Sequence, residues 1–195
     1  MRKIILSVIL ITILVLSVFS IYFQSEATAL GAHVVALKLD TGDTAWMIVA
    51  SALVLIMTPG LGFFYGGMVG KKNVISTMLQ SFMAMVIVTV LWVLVGFGLC
   101  FGPSVGGIIG DPSNNFMFNG VNSTTAWELA PTIPFILFAF FQAKFAIITP
   151  ALITGAFAER VRFWAYLLFM VLFILVIYAP LCHMTWHPDG LFFGW

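Results

Sequence analysis

Five apolar runs, each about as long as a bilayer core is thick, divide this chain and leave only short polar segments between them. A helix rises about 1.5 Å per residue and the hydrocarbon core is about 30 Å across, so roughly twenty apolar residues span it. The first run covers Ile4 to Phe23 behind Arg2 and Lys3, and is followed by Ser25-Glu26-Ala27-Thr28-Ala29, whose Ala-x-Ala ending resembles a signal-peptidase site. A cleaved signal peptide over residues 1–29 is the preferred reading. Its apolar core is long for a signal sequence, which keeps an uncleaved anchor open as the alternative. The other four runs predict membrane helices over 44–65, 74–101, 132–157 and 163–182, so residues 30–195 read as an all-α polytopic membrane domain.

Composition agrees. Hydrophobic residues make up 62% of the chain and charged residues 8%, which excludes a soluble globular domain of this size. No basic patch points to nucleic acid. Cys100 and Cys182 lie at the ends of apolar runs, where a free thiol behaves as a small hydrophobe, and neither fixes a redox compartment.

The few charges set an orientation. If the runs cross alternately, Arg2, Lys3, Lys71, Lys72, Arg160 and Arg162 fall on one side, and Glu26, Asp40, Asp43, Asp111, Glu128 and Asp189 on the other. Lys38 alone departs from that split. The positive-inside rule then turns the mature N-terminus and the 102–131 loop outward. That loop is rich in Gly, Pro, Asn and Ser without periodicity, and reads as a connection; its Asn122-Ser123-Thr124 matches a glycosylation acceptor that chance often produces.

Three groups of residues could carry chemistry. The glycine-rich stretch from Pro59 to Lys72 fails as a phosphate loop at Tyr65 and Lys72, and fails as a dinucleotide fingerprint at Tyr65. Its Gly62-x-x-x-Gly66 and Gly66-x-x-x-Gly70 spacings read instead as close helix packing in lipid. Cys182, His183, His187 and Asp189 carry zinc-ligand atoms, but Pro188 makes a regular helical His-x-x-x-His face doubtful, so no metal site is expected there. Nothing else supplies a nucleophile triad, a paired-carboxylate site or a cofactor loop, so no enzyme and no cofactor is expected.

The third group is aromatic. Phe141 and Phe145 lie one helical turn apart on one face, and Trp186 stands just past the same end of the next long run. Ring faces attract small cations, with Trp the strongest, so the three could form a cage beside an aqueous recess. Packing or interfacial anchoring is the alternative that spacing alone leaves open. Gln142 and Lys144 sit beside the rings at a depth where polar groups must face protein, water or the interface; about 100° of rotation per residue lets Lys144 point away from the cage.

Several stretches closely resemble the ammonium transporter (Amt/Rh) family, and its microbial Amt branch in particular. They are residues 51–60, reading SALVLIMTPG, with Phe64-Tyr65-Gly66-Gly67 and Lys72-Asn73-Val74; residues 141–160, reading FQAKFAIITPALITGAFAER; and His183-Met184-Thr185-Trp186. The resemblance runs from about Asp43 to the end. It implies the first helices of an eleven-helix inverted-repeat ammonium transporter fold, a homotrimer with one pore per subunit in the cell inner (plasma) membrane, and a PII-type regulatory partner at the cytoplasmic face. It also implies that Phe141 and Trp186 form the outer ammonium recruitment site, with Phe145 as the gate below it. The chain ends at Trp195, ahead of the fifth helix and the second half that carry the family's pore histidines, so the resemblance implies an N-terminal portion that neither conducts nor folds stably alone. An ammonium sensor, coupled to a C-terminal signalling domain, is the alternative function. A membrane protein whose aromatic residues serve only packing is the third.

Overall fold

The computed structural model describes residues 33–193; the signal peptide expected over 1–29 lies outside the described residues. Among the described residues four helices are long and apolar enough to cross a membrane: α1 (Thr41–Met68), α2 (Val74–Phe101), α3 (Phe135–Phe157) and α4 (Phe163–Trp186). They match the four expected runs, and their ends are set by local chemistry. α1 begins three residues before position 44 because Asp40 caps it, its side chain accepting the Asp43 N–H at 2.8 Å. α3 begins at Phe135, later than 132, because Ile133 precedes Pro134 and a residue before proline is disfavoured in helical conformation. α4 runs on past Cys182 to Trp186 for the same reason in reverse: His187, before Pro188, is the first residue held extended, at φ −83° and ψ 138°.

Two of these helices contain a π turn. α2 opens into a π turn at Trp92–Gly96 and α4 into another at Phe173–Tyr178. The second lies just ahead of Pro180, which lacks the N–H that a regular ladder needs. At the first, the buried Trp92 indole donates to the Ala139 carbonyl of α3 at 3.0 Å.

Small residues bring the helices together. A Cβ at Gly62 would lie 3.4 Å from Ser81 Cβ, and one at Gly66 only 2.7 Å from Met78 Cγ, so the first glycine pair of α1 seats α2 as its spacing suggests. The second spacing serves a different purpose. Gly70 lies beyond the end of α1, and its N–H donates to Glu159 Oε1 at 2.7 Å. Glu159 also accepts from Asn73 Nδ2 at 3.0 Å, adopts a left-handed φ of 65°, and is held below the usual carboxylate range by these two bonds, Asn73 first. Tyr65 ties α1 to α3, donating its hydroxyl to the Leu152 carbonyl at 2.7 Å and laying its ring over Gly155.

At the other end of the bundle the 102–131 connection is folded into a cap. β1 (Val34–Ala36) pairs antiparallel with β4 (Thr125–Trp127), Val34 opposite Trp127, while β2 (Ser104–Val105) pairs with β3 (Ile109–Gly110). Asn122 organises the turn before β4, its Oδ1 accepting the N–H groups of Thr124 and Thr125. Trp127, 2% exposed, stacks on Phe135 and Phe138 with centroids 5.9 and 5.7 Å away, plugging the cap into a core that includes Trp92, Phe97 and Phe101. Burial of this indole anchors a segment that otherwise has only two- and three-residue strands.

Candidate functional site

Phe141 and Phe145 project from one face of α3, and their rings meet edge to face at 5.1 Å and 75°. Trp186, the last residue of α4, brings its indole to 6.3 Å from Phe145 at a tilt of 51°. All three rings named from the sequence therefore form one chain, with Phe145 in the middle. Trp186 is 49% exposed, whereas Phe141 and Phe145 are half-buried. A small cation near Phe145 has two further ring systems next to it, and each ring face offers about 0.5 to 2 kcal/mol of attraction according to how dry the site is.

A recess of about 340 Å³ is lined by Phe141 alone of the three rings. Phe141 and Gln142 form its α3 wall, Asp43 and Trp46 its α1 wall, and Leu129 and Ala130 belong to the cap, with Thr132 just after it. Gln142 is buried, and together with Asp43 it gives an otherwise apolar wall its polar groups. Lys144 lies elsewhere. Its Nζ stands 5.6 Å from the centroid of Phe140, four residues earlier on the neighbouring face, so the charge turns from the Phe141–Phe145 edge as helical rotation allows.

The Cys182, His183, His187 and Asp189 group is placed differently from its sequence reading. The helix does continue far enough for His183 and His187 to stack, at 4.3 Å and 20°, because the His187 N–H still reaches the His183 carbonyl at 3.1 Å. Yet His183 is fully committed. Its Nδ1 donates to the Cys100 carbonyl at 2.9 Å and its Nε2 accepts from Ser104 Oγ at 2.8 Å. Cys182 sits beside Cys100 in the core, both as free thiols. The residue that joins His187 and Asp189 is His33, a partner that lies 156 positions away in the sequence.

His33 Nε2 is 2.7 Å from Asp189 Oδ2 and its Nδ1 is 2.9 Å from Glu128 Oε2. The second contact is an ion pair off the direction of a hydrogen bond, which leaves Nδ1 without a well-aimed partner among the described residues. Burial alone would lower the His33 pKa, but the hydrogen bond to Asp189 and the close Glu128 carboxylate outweigh it and hold the imidazole above its ordinary value. The bond to His33 in turn holds Asp189 below the usual carboxylate range. His187 is pushed down to about 4, first by burial and then by the neighbouring His183 and His33, so it is neutral at ordinary pH.

Comparison with known proteins assigns the family. The family model described as the Ammonium Transporter Family matches residues 45–195. An ammonium transporter of Mycobacterium tuberculosis is 48% identical over 164 residues, covering 77% of this chain and 34% of the relative. One of Aquifex aeolicus is 41% identical over 178 residues, covering 89% of this chain and 38% of the relative. Among solved structures, Candida albicans Mep2 superposes with a TM-score of 0.70 at 33% identity, covering 79% of this chain and 33% of that one. A structure described as a sensor Amt protein superposes at 0.66 and 31% identity, covering 75% and 36%. The chain thus spans about a third of the length of the relatives it matches. With four membrane-capable helices in the expected order and this similarity across residues 45–195, the chain belongs to the ammonium transporter family.

Proposed function

We propose that this chain forms the entry portion of an ammonium-transporting pore. Phe141 and Trp186 receive the ion at the outer face of the inner membrane, and Phe145 gates the path beneath them. The single observation that carries this reading is the continuous ring chain from Phe141 through Phe145 to Trp186, at 5.1 and 6.3 Å, whose Phe141 end lines a recess with Asp43 and Gln142 on its walls. Ring faces hold a cation without a permanent charge pair, and such capture is weak enough for the ion to leave again, as conduction requires. Lys144, turned toward Phe140, stands outside this path.

The orientation in this proposal is supported by the basic residues: Lys71, Lys72, Arg160 and Arg162 cluster at the end opposite the cap, and the positive-inside rule favours a cap and rings that face outward. Transport moves the ion without making it a reactant, so no enzymatic role is assigned. Assembly as a homotrimer and regulation by a PII-type protein at the basic end complete the proposal and rest on the family. A sensor using the same rings is the second reading, favoured by the likeness to the sensor Amt structure. Uptake of isotopically labelled ammonium by a transporter-deficient strain expressing the full-length protein decides between them. Uptake that falls with Phe145→Ala supports a pore; ammonium binding without any uptake contradicts it and favours the sensor.

A further inference from the structure

We propose a zinc-class metal site at the capped end of the molecule, formed by His33, His187 and Asp189 with Glu128 orienting His33. One ligand atom from each of the three residues lies within 4.8 Å of the other two. Two imidazole nitrogens and a carboxylate oxygen suit Zn²⁺, Ni²⁺ or Cu²⁺, and suit Mg²⁺ or Ca²⁺ poorly. Behind His33, Glu128 Oε2 stands 2.9 Å from Nδ1 while Nε2 faces Asp189. In the metal-free state Nε2–H donates to Asp189 Oδ2, so ligation through Nε2 releases that proton to solvent and leaves Nδ1–H beside Glu128, whose carboxylate turns into line to orient the ring.

A second observation comes from His187. Its side chain is completely buried, its ring meets His33 edge to face at 4.9 Å, and its Nε2 has no hydrogen-bond partner among the described residues. A buried ring nitrogen left in this way is costly, and a ligand there removes the cost. Its Nδ1 accepts the Asp189 N–H at 3.1 Å, so the proton of the metal-free ring sits on Nε2. Ligation through Nε2 moves that proton to Nδ1 and displaces the Asp189 N–H, so the His187–Pro188–Asp189 turn shifts as it closes on the ion. Zinc bonds of about 2.0 to 2.1 Å need ligand atoms about 3.3 Å apart, so the widest separation closes by roughly 1.5 Å while the 2.7 Å contact between His33 and Asp189 opens by about 0.6 Å. Asp189, with its side chain 55% exposed, supplies both the movement and the route from solvent. The ion would cross-link the segment before β1, the cap and the turn that follows Trp186.

The test is zinc titration of the full-length protein in lipid nanodiscs without ammonium, by calorimetry, with Mg²⁺ and Ca²⁺ as competitors. One ion per subunit is expected, undisturbed by either competitor. His33→Asn and Asp189→Asn are each expected to weaken binding at least about tenfold, and Glu128→Gln about tenfold at unchanged stoichiometry. Because His187 is completely buried, the more accessible His33 and Asp189 carry the test. No binding at about 100 µM free zinc overturns the proposal. Undiminished binding in the His33→Asn/Asp189→Asn double variant does the same, and identifies an adventitious ion only. Neither outcome touches the ammonium reading, which concerns other residues.

Discussion

Replacing Trp186 with leucine separates ring electrostatics from packing. The indole is 49% exposed and its centroid lies 6.3 Å from Phe145, so leucine costs little burial and keeps an apolar surface, yet it removes the strongest cation-attracting face. A loss of about 0.5 to 2 kcal/mol corresponds to roughly a twofold to thirtyfold weaker apparent affinity. The assay is uptake of labelled ammonium over a range of concentrations, by a transporter-deficient strain making equal amounts of full-length wild-type or variant protein. KM is expected to rise within that range while the maximal rate changes less, and Trp186→Phe is expected to lose less than Trp186→Leu. An unchanged KM at equal abundance refutes the reasoning and assigns the indole to packing.

Four other substitutions test the surrounding structure. Lys144→Met should change ammonium KM by less than about twofold, since its ammonium group stands over Phe140; a large gain in apparent affinity would show that the charge faces the rings. Gly66→Val should lower stability by about 1 to 3 kcal/mol through overpacking against Met78, whereas Gly67→Val, with open space around its Cβ, should be tolerated. Equal thermal unfolding of the two variants in detergent would contradict the α1–α2 packing. Trp127→Ala should cost about 3 to 5 kcal/mol and open the cap to proteolysis, because the indole is 2% exposed and stacked on two rings; an unaltered digestion pattern would show that the cap is held by other contacts.

The bilayer made much of this fold legible in the chain. Backbone groups in lipid must be satisfied internally, so each long apolar run has helix as its only ordinary solution, and all four expected spans correspond to observed helices. Helix ends were less legible, since Asp40, Pro134 and Pro188 each moved a boundary by capping or steric restriction that hydrophobicity does not register. The pairing of Phe141 with Phe145 followed from helical periodicity, and Trp186 was placed beside them by the alternation of the spans. The cap escaped because its strands are two or three residues long, too short for an alternating pattern to register. His33 escaped for a different reason: its partners Glu128 and Asp189 are distant in sequence, and only the β1–β4 pairing and the turn after α4 bring them together. The stacking of His183 on His187 could have been anticipated from their four-residue spacing had Pro188 been read as ending the helix behind them.

Locating an ammonium-sized cation in crystals of the full-length protein is the most direct examination of the proposed entry site. Caesium or rubidium, visible by anomalous scattering, should appear within about 6 Å of the Phe145 and Trp186 ring centroids, with Phe141 alongside. An ion bound only elsewhere in the pore, with these rings turned to lipid or filled by neighbouring side chains, would contradict the account.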